Sequence, residues 1–332
     1  KGQRRTHAVL ARLFSAQRMG FLEKIVQEEI AAIVQPLRQR EEWDAVADFA
    51  KPLPLRVISR ALGFTAHDED DLKRWADVIE EWFGGQGDVV LRFESCQSAI
   101  MEFAARAEQM LATLDTDTVA QDGAGCLAAE LLRASARGDV DREDVVPNLF
   151  FLMSAGHETT SSLISNGLLL ALDNPAILLD LQRLASHTGG DTQGDGEEEL
   201  DAILTEMLRV VTPVTRAYRE VGQSFCYKGV GFEKGQQVQL NLATANIDET
   251  AFPDAQRFRP QRAGDAMAKA HLAFGFRHHL CPGLKLGRLT SKAALTAVCA
   301  AFPGLQLAVQ RRHVRTLPLD SINALESLPV RC

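Results

Sequence analysis

One stretch concentrates residues that could do chemistry: His271–Gly283, which ends in Cys281, Pro282 and Gly283. Proline is well tolerated at the first position of a helix, because the N–H that it lacks has no intrahelical partner there. The residues that follow carry apolar side chains at helical spacings, so Cys281 is expected at a helix start. The helix dipole and free backbone N–H groups would stabilise its thiolate. Such a thiolate can be a nucleophile, a redox centre or a metal ligand.

On the residues alone, an inert buried cysteine is the plainest interpretation of Cys281. The adjacent His278 and His279 raise zinc as an alternative. Neighbouring side chains in an extended loop point in opposite directions, however, and the sequence offers no second ligand cluster, so zinc is disfavoured.

A second patch lies inside the long apolar segment Asp141–Asp173, which is predicted to be one helix. Its middle reads Ala-Gly-His-Glu-Thr-Thr over 155–160, and Gly and Thr cost up to about 1 kcal/mol per residue in a helix. A buried helix that tolerates such a patch often has a distortion and a cavity beside it. On spacing alone, two surface polar residues explain the patch equally well.

Two further features are unremarkable when taken singly. Glu206 and Arg209 lie three residues apart on one predicted helix, where such a pair contributes a few tenths of a kcal/mol. Arg262 ends a proline-containing meander over 252–262 that leads into the cysteine loop.

These motifs, in their order along the chain, resemble those of the cytochrome P450 monooxygenases. The pattern His-Leu-Ala-Phe-Gly-x-x-x-His-x-Cys-x-Gly is similar to the haem-binding loop of that family, whose cysteine is the axial thiolate on the haem iron. The resemblance implies haem b as cofactor, with Cys281 as the metal ligand. It also implies that His279 hydrogen-bonds a haem propionate and that Phe274, Gly275 and Ala155 contact the cofactor.

The resemblance also implies roles for residues outside the loop. The patch in the central helix resembles the oxygen-activating segment of the family, in which Thr159 would hydrogen-bond iron-bound oxygen and Glu158 would relay protons from solvent. His157 is expected to be a bystander. Arg219 and His7 match positions at which the family binds the haem propionates.

Glu206, Arg209 and Arg262 match a buried cluster of the family, which is a structural lock and not a catalytic site. Removal of one partner from such a cluster costs about 3–5 kcal/mol. Arg277 departs from the family, which nearly always has glycine four residues before the cysteine. If that position needs a conformation restricted to glycine, Arg277 costs roughly 1–3 kcal/mol and haem retention is weakened.

The expected fold is mainly α with small β-sheets (α+β), a cytochrome P450 fold. Helices are predicted for most of the first three-quarters, with a break at Leu53-Pro54-Leu55 and short strands over 224–230, 236–242 and near the C-terminus. We expect a single domain over 1–332 that is N-terminally incomplete relative to the family. The Gly/Asp-rich segment at about 187–198 is predicted to be a flexible loop.

Composition limits the possible partners. The 332 residues carry a formal net charge of −8, which argues against a general nucleic-acid binder. Six cysteines without paired spacing indicate reduced thiols, and no apolar run reaches membrane-spanning length. We therefore expect a cytoplasmic protein with no nucleic-acid or membrane partner.

The predicted function is a monooxygenase that inserts one oxygen atom of O₂ into an apolar small molecule. Electrons would come from a ferredoxin-type donor, docked on a basic patch of Arg277, Lys285, Arg288 and Lys292. One alternative is a peroxide-using or diverged haem-thiolate enzyme. The other is a truncated or degenerate member without haem activity.

Overall fold

Helices form most of the computed structural model, which describes residues 2–84, 89–114, 125–187, 193–264, 271–317, 319 and 321–332. The helices in chain order are α1 Gly2–Leu13, α2 Ala16–Leu37, α3 Pro52–Leu62, α4 Glu69–Gly84, α5 Val89–Thr113, α6 Leu127–Ala136, α7 Val145–Asp173, α8 Pro175–His187, α9 Gln193–Val210, α10 Leu242–Asn246 and α11 Leu284–Ala301.

Helix α7 is the centre of the fold. Every residue from His157 to Leu169 is buried except Thr159, so this helix has no solvent face over that length. Helices α3, α5, α8, α9 and α11 pack around it. A helix that is apolar on nearly all sides belongs in a core, and its few polar residues then face cavities or neighbouring elements.

The predicted break at Leu53-Pro54-Leu55 is wrong. Helix α3 begins at Pro52 and includes Pro54 in its first turn, where a proline removes no intrahelical hydrogen bond. A π-helical turn, Ala45–Ala50, precedes it, and the carboxylate of Asp44 accepts hydrogen bonds from the N–H groups of Val46 and Ala47 at the start of that turn.

The strands form three small antiparallel sheets in the described part of the chain. One has the order β1-β7-β6, one pairs β2 with β5, and one pairs β3 with β4. Their bounds are β1 Glu42–Asp44, β2 Arg216–Glu220, β3 Phe225–Tyr227, β4 Val230–Phe232, β5 Gln237–Asn241, β6 Gln306–Leu307 and β7 Pro329–Arg331. The predicted class, mainly α with small sheets, is confirmed.

Residues 188–192 of the predicted Gly/Asp-rich loop lie outside the described residues. The remainder of that prediction is wrong, since α8 extends to His187 and α9 begins at Gln193. The acidic residues that follow Gln193 are favourable near a helix N-terminus, which explains why the helix starts earlier than the glycines indicate.

No single helix among the described residues combines the length and apolar character of a membrane span. The segments 142–173 and 175–185 meet that criterion only as a pair, with a bend of 115° between them.

Candidate active site

The cysteine loop is held by its own backbone. The N–H of Cys281 donates to the carbonyl of Phe274 at 2.8 Å, and the N–H of Gly275 donates to that of Leu272 at 2.8 Å. Gly275 has φ +78°, and a Cβ there would lie 2.4 Å from the carbonyl oxygen of His279. Only glycine fits such a close approach, so the loop geometry itself requires Gly275.

The sulfur of Cys281 is largely buried, and burial raises its pKa, while hydrogen bonds from the N–H groups of Gly283 and Leu284 lower it less. The sequence predicted that the helix start would stabilise the thiolate and so lower the pKa of Cys281. That prediction is wrong, because the pKa is raised overall. The two N–H groups are present, but loss of hydration outweighs them. A bound metal ion reverses that balance, because a coordinating thiol is deprotonated outright.

Cys281 opens into a cavity of about 690 Å³, open solvent at its mouth included, bounded chiefly by α3, α7, the cysteine loop and α11. Phe274 and Cys281 of the cysteine loop line it together with Ala155, Gly156 and Thr159 of α7. Most of the lining is apolar. A deprotonable sulfur with two N–H donors in an apolar cavity fits a large apolar group that carries a metal cation. The residues therefore fit haem.

Thr159 lies where two cavities adjoin. Its hydroxyl donates to the carbonyl of Ala155 at 2.7 Å, one turn earlier in α7. The same side chain lines the cysteine cavity and a second cavity of about 800 Å³, open solvent included, which is bounded by α4, α7 and the residues Leu319, Ser321 and Ile322. Helix α7 stays regular through the patch, so the expected distortion is absent. The expected cavity beside the patch is present.

The second cavity is mostly apolar. Ala76 and Ile79 of α4 contribute to its wall, with Leu319 and Ile322 from the C-terminal segment. Its polar carboxylates come from Glu80 of α4 and Glu158 of α7. Because Phe151, Ala155 and Thr159 line both cavities, a molecule in the second cavity would lie next to the cysteine cavity.

Glu158 is buried, and neither of its carboxylate oxygens has a hydrogen-bond partner among the described residues. Burial is the main cause that raises its pKa to about 7, and the negative charge of Glu80 adds to it. The positive charge of Lys51 lowers this pKa, and the negative charge of Asp77 raises it by a smaller amount. A carboxyl group with a pKa near neutrality can both accept and release a proton, which suits proton transfer.

His157 is also buried, with its Nδ1 at 4.0 Å from Oε2 of Glu158. Burial lowers its pKa to about 4, the charge of Lys51 lowers it further, and a hydrogen bond to the Lys51 backbone opposes both. The imidazole is thus neutral at physiological pH and joins α7 to the residue that precedes α3. The bystander role expected for His157 stays a prediction.

The three predicted propionate ligands lie in different settings. Nε2 of His7 lies 2.9 Å from the carbonyl oxygen of Leu280, which brings α1 against the cysteine loop. His279 is exposed in the short helical turn Arg277–His279. Nη1 of Arg219 donates to the carbonyl of Tyr218 at 2.7 Å, along its own strand. Contacts of these three residues with a propionate remain predictions.

The structure brings Glu206, Arg209 and Arg262 together. Oε1 of Glu206 accepts from Nη2 of Arg209 at 2.7 Å and from Nε of Arg262 at 3.1 Å, while Oε2 accepts from Nε of Arg209 at 2.9 Å. All three side chains are buried.

Asn246 connects this cluster to the cysteine loop, a link that sequence reasoning missed. Nη1 of Arg209 donates to the Asn246 carbonyl at 2.8 Å, and Oδ1 of Asn246 accepts from the N–H of Leu272 at 2.7 Å. Asn246 is fully buried. A lone asparagine at the end of a five-residue helix carries no sequence signal for such a role.

Arg277 has φ +51°, in the left-handed region. The family's glycine therefore corresponds to a real backbone requirement at this position. The Arg277 side chain is exposed, with its guanidinium 5.1 Å from the centroid of the Phe276 ring.

The predicted basic patch is smaller than the sequence indicates. Nη2 of Arg288 lies 3.1 Å from Oδ1 of Asp201, and Nζ of Lys292 lies 3.0 Å from the same atom. These two cations are thus neutralised by α9, whereas Arg277 and Lys285 are exposed.

Sequence reasoning also missed Lys51 and Glu80. Nζ of Lys51 donates to both carboxylate oxygens of Glu80 at 2.7 and 2.8 Å, beside Glu158 and His157. Each is a single charged residue in an ordinary amphipathic segment, so no pattern marks either one.

Comparison with known proteins places these features in a family. The family model for cytochrome P450 matches residues 3–304. Cytochrome P450 107B1 of Saccharopolyspora erythraea is 29% identical over 98% of this chain and 74% of its own length. Cytochrome P450 monooxygenase PikC of Streptomyces venezuelae is 30% identical over 98% of this chain and 73% of its own length.

Among solved structures, P450BioI in complex with an acyl carrier protein ligated with hexadec-9Z-enoic acid superposes with a TM-score of 0.82. It is 25% identical, and the match covers 99% of this chain and 78% of that one. The similarity thus extends over nearly the whole of this chain, in both sequence and fold.

Proposed function

This chain belongs to the cytochrome P450 family, and from that premise we propose that it inserts one oxygen atom of O₂ into an apolar small molecule. The observation that carries the proposal is that Cys281 and Thr159 line one cavity. A thiolate ligand and a hydroxyl in the same cavity are groups that haem-dependent oxygen activation uses.

Cys281 would hold the iron of haem b, in the apolar cavity that also contains Phe274 and Ala155. When bound, the haem supplies cleavage of the O–O bond, which the electron-rich thiolate favours. The N–H groups of Gly283 and Leu284 that reach the sulfur would keep it oriented and moderate its negative charge. His7, His279 and Arg219 would bind the two propionates.

Thr159 and Glu158 would deliver protons to the cysteine cavity. The Thr159 hydroxyl donates its proton to the carbonyl of Ala155, so its oxygen is free to accept a hydrogen bond in the cysteine cavity. Glu158 lies one residue earlier and faces the second cavity, where its raised pKa lets it hold a proton at neutral pH. Glu158 would therefore take protons from solvent and supply them towards Thr159.

The second cavity would bind the substrate. Its walls from α4 and from Leu319 and Ile322 are largely apolar, so they favour a small apolar molecule and exclude water from the reaction.

A ferredoxin-type protein would donate the electrons. The exposed residues Arg277, Phe276 and Leu280 belong to the cysteine loop, and Lys285 is exposed in the first turn of α11. On a chain of net charge −8, exposed cations beside the cysteine favour docking of an acidic partner.

The visible spectrum of the purified protein, reconstituted with haem, tests the proposal. We expect the reduced carbon monoxide complex to show the shifted Soret band of a thiolate ligand. Cys281→Ala should abolish that band, whereas Cys226→Ala, at an exposed position in β3, should keep it. Absence of the band in the unmodified protein would support the alternative of a family member without haem activity.

Measurement of product formation distinguishes the proposal from the alternative of a peroxide-using enzyme. With dioxygen, a ferredoxin and its reductase, we expect product from apolar test compounds, and Thr159→Ala should divert electrons away from product. Product formed with peroxide but not with the reductase system would contradict the proposal and identify a peroxide-using enzyme.

A further inference from the structure

A turn near the C-terminus contributes to the wall of the second cavity. The chain reverses direction there, and the N–H of Leu317 donates to the carbonyl of Ala324 at 2.8 Å. We call the described residues between these two, 319 and 321–323, the C-terminal turn. Three of them line the cavity: Leu319, Ser321 and Ile322. The position of the turn therefore affects the room that the cavity leaves for a molecule.

Asn323, the last residue of the C-terminal turn, is bound to α7 through its backbone carbonyl. That oxygen accepts a hydrogen bond from Oγ of Ser162 at 2.5 Å and another from Nδ2 of Asn166 at 2.6 Å. A carbonyl oxygen has two lone pairs, so these two side chains occupy both of its acceptor positions. Ser162 and Asn166 are buried, with 1% and 6% of their surface exposed, and lie one turn apart on the same face of α7.

Helix α7 also carries Thr159, which lines both cavities. Ser162 lies three residues beyond Thr159, which is about 4.5 Å along the helix axis. The amide of Asn166 donates a further hydrogen bond to the carbonyl of Ser162 at 3.0 Å, within the helix, so its orientation is fixed by α7 itself. The wall formed by the C-terminal turn and the threonine of the reaction site are therefore referenced to the same rigid element.

The C-terminal turn has further attachments to the segment between α9 and β2. The N–H of Asn323 donates to the carbonyl of Pro213, and the N–H of Thr215 donates to that of Ser321, both at 2.8 Å. Nδ2 of Asn323 lies 3.4 Å from the carbonyl oxygen of Val211. These bonds do not involve α7. Loss of a bond from α7 should therefore shift the turn and not unfold it.

We propose that Ser162 and Asn166 are positioning residues that hold the C-terminal turn against α7 and thereby limit the length of the apolar molecule that the second cavity accepts. The inference deepens the proposed function and rests on it for the assignment of this cavity to the substrate. Neither residue belongs to the lining of the cavity, so both act through Asn323. When this hold is weakened, the turn moves away from α7 and the cavity admits a longer molecule.

Ser165 offers a matched control on the same helix. It is as buried as Ser162, with 2% exposed, but its hydroxyl donates to the carbonyls of Ser161 and Ser162 within α7. Ser165→Ala thus removes a buried hydroxyl from α7 and leaves both bonds to Asn323 intact. Ser162→Ala removes one of those bonds and keeps the one from Asn166, so the variant should fold. Asn166→Leu removes the other bond at similar side-chain volume.

The test is the affinity of the haem-reconstituted protein for straight-chain 1-alkanols from hexanol to tetradecanol, measured by isothermal titration calorimetry. Each buried CH₂ should raise the affinity about fourfold, until the chain fills the cavity and the increase stops. In Ser162→Ala and Asn166→Leu we expect the increase to continue to a longer alkanol, so that the first one beyond the original limit gains about fourfold. Ser165→Ala should keep the original limit. A merely structural loss would weaken all alkanols alike and leave the limit unchanged.

Hydrogen exchange gives a second readout of the turn itself. Peptides that contain Asn323 should exchange faster in Ser162→Ala than in Ser165→Ala. A chain-length limit that stays in place in both test variants, or that moves equally in Ser165→Ala, refutes the proposal even if the exchange is faster. An unmodified protein without such a limit refutes it as well. Failure of the proposed function is distinct, since it would appear as a missing thiolate band in the reduced carbon monoxide complex.

Discussion

Nε of Arg262 lies 3.1 Å from Oε1 of Glu206, although 56 residues of chain separate them. Both side chains are buried, and Glu206 also holds Arg209 through both of its oxygens. Through Arg209 the cluster fixes Asn246, and Asn246 fixes the N–H of Leu272 at the start of the cysteine loop. The ion-pair cluster therefore positions the loop of Cys281 without touching the cavity.

Glu206→Gln should strongly destabilise the protein. The change leaves two buried guanidinium groups without their charge partner, so we expect a loss of about 3–5 kcal/mol in the free energy of unfolding. Denaturant titration measures it. Glu108→Gln, which disrupts an exposed pair with Arg142, is the matched control and should cost at most about 1 kcal/mol. Equal effects of the two variants would contradict a buried lock.

Arg277→Gly should stabilise the protein. Arg277 has φ +51°, a conformation that costs about 1 kcal/mol for a residue with a side chain and little for glycine. Some of that gain is offset by the greater entropy of glycine in the unfolded chain and by the lost contact with the Phe276 ring. We expect a net gain of about 0.5 kcal/mol in urea unfolding.

The control for that prediction is Arg38→Gly. Arg38 has φ −59° at the end of α2, an ordinary conformation for any residue, so glycine there only adds entropy to the unfolded state. It should destabilise the protein by roughly 0.5–1 kcal/mol. If Arg277→Gly destabilises as much as Arg38→Gly, the arginine is not under backbone strain.

Charge reversal should separate the exposed cations from the paired ones. Arg277→Glu and Lys285→Glu should slow reduction by an acidic ferredoxin and reduce its dependence on salt, because both side chains are exposed near Cys281. Lys234→Glu, at an exposed position just after β4, should change neither. Stopped-flow reduction at several ionic strengths measures the rates. Unchanged rates in both variants would exclude these residues from the docking surface.

Arg288→Glu serves a different purpose. Arg288 is paired with Asp201, so a glutamate there faces a carboxylate across the contact between α9 and α11. We expect lower stability, with an effect on reduction only through that loss.

The sequence was sufficient to predict residues whose role depends on a local pattern. Cys281, Gly275 and the requirement at Arg277 belong to one loop, in which short-range backbone geometry fixes each position. Glu206 and Arg209 are one turn apart, so only Arg262 had to be added from a distant segment. The mainly helical fold follows from apolar periodicity that persists over long segments.

Pairings between distant charged residues could not be predicted in this way. Asp201 neutralises Arg288 across 87 residues, and Lys51 pairs with Glu80 across 29 residues. The ion pairs depend on how helices pack, not on local propensity. The net pKa of Cys281 depends on packing for the same reason, since burial, the larger influence, comes from distant segments of the chain.

Stability should vary with pH through Glu158. The pKa of this carboxyl is about 7 in the folded protein, against an ordinary value of 4.5. The folded state therefore holds a proton that the unfolded state releases between these values, and the associated stability is complete below pH 4.5 and is lost as the pH rises through 7. Glutamine cannot ionise, so the Glu158→Gln variant does not lose this stability as the pH rises.

The stability of Glu158→Gln relative to the unmodified protein should therefore increase with pH. Between about pH 5 and pH 8.5 the difference in free energy of unfolding should change by roughly 3 kcal/mol in favour of the variant. Urea titrations at fixed ionic strength measure it, and His157 contributes to both proteins alike. Glu81→Gln, at an exposed position in α4, is the control for a general effect of replacing a glutamate. Parallel curves for Glu158→Gln and the unmodified protein would mean that the buried carboxyl titrates normally.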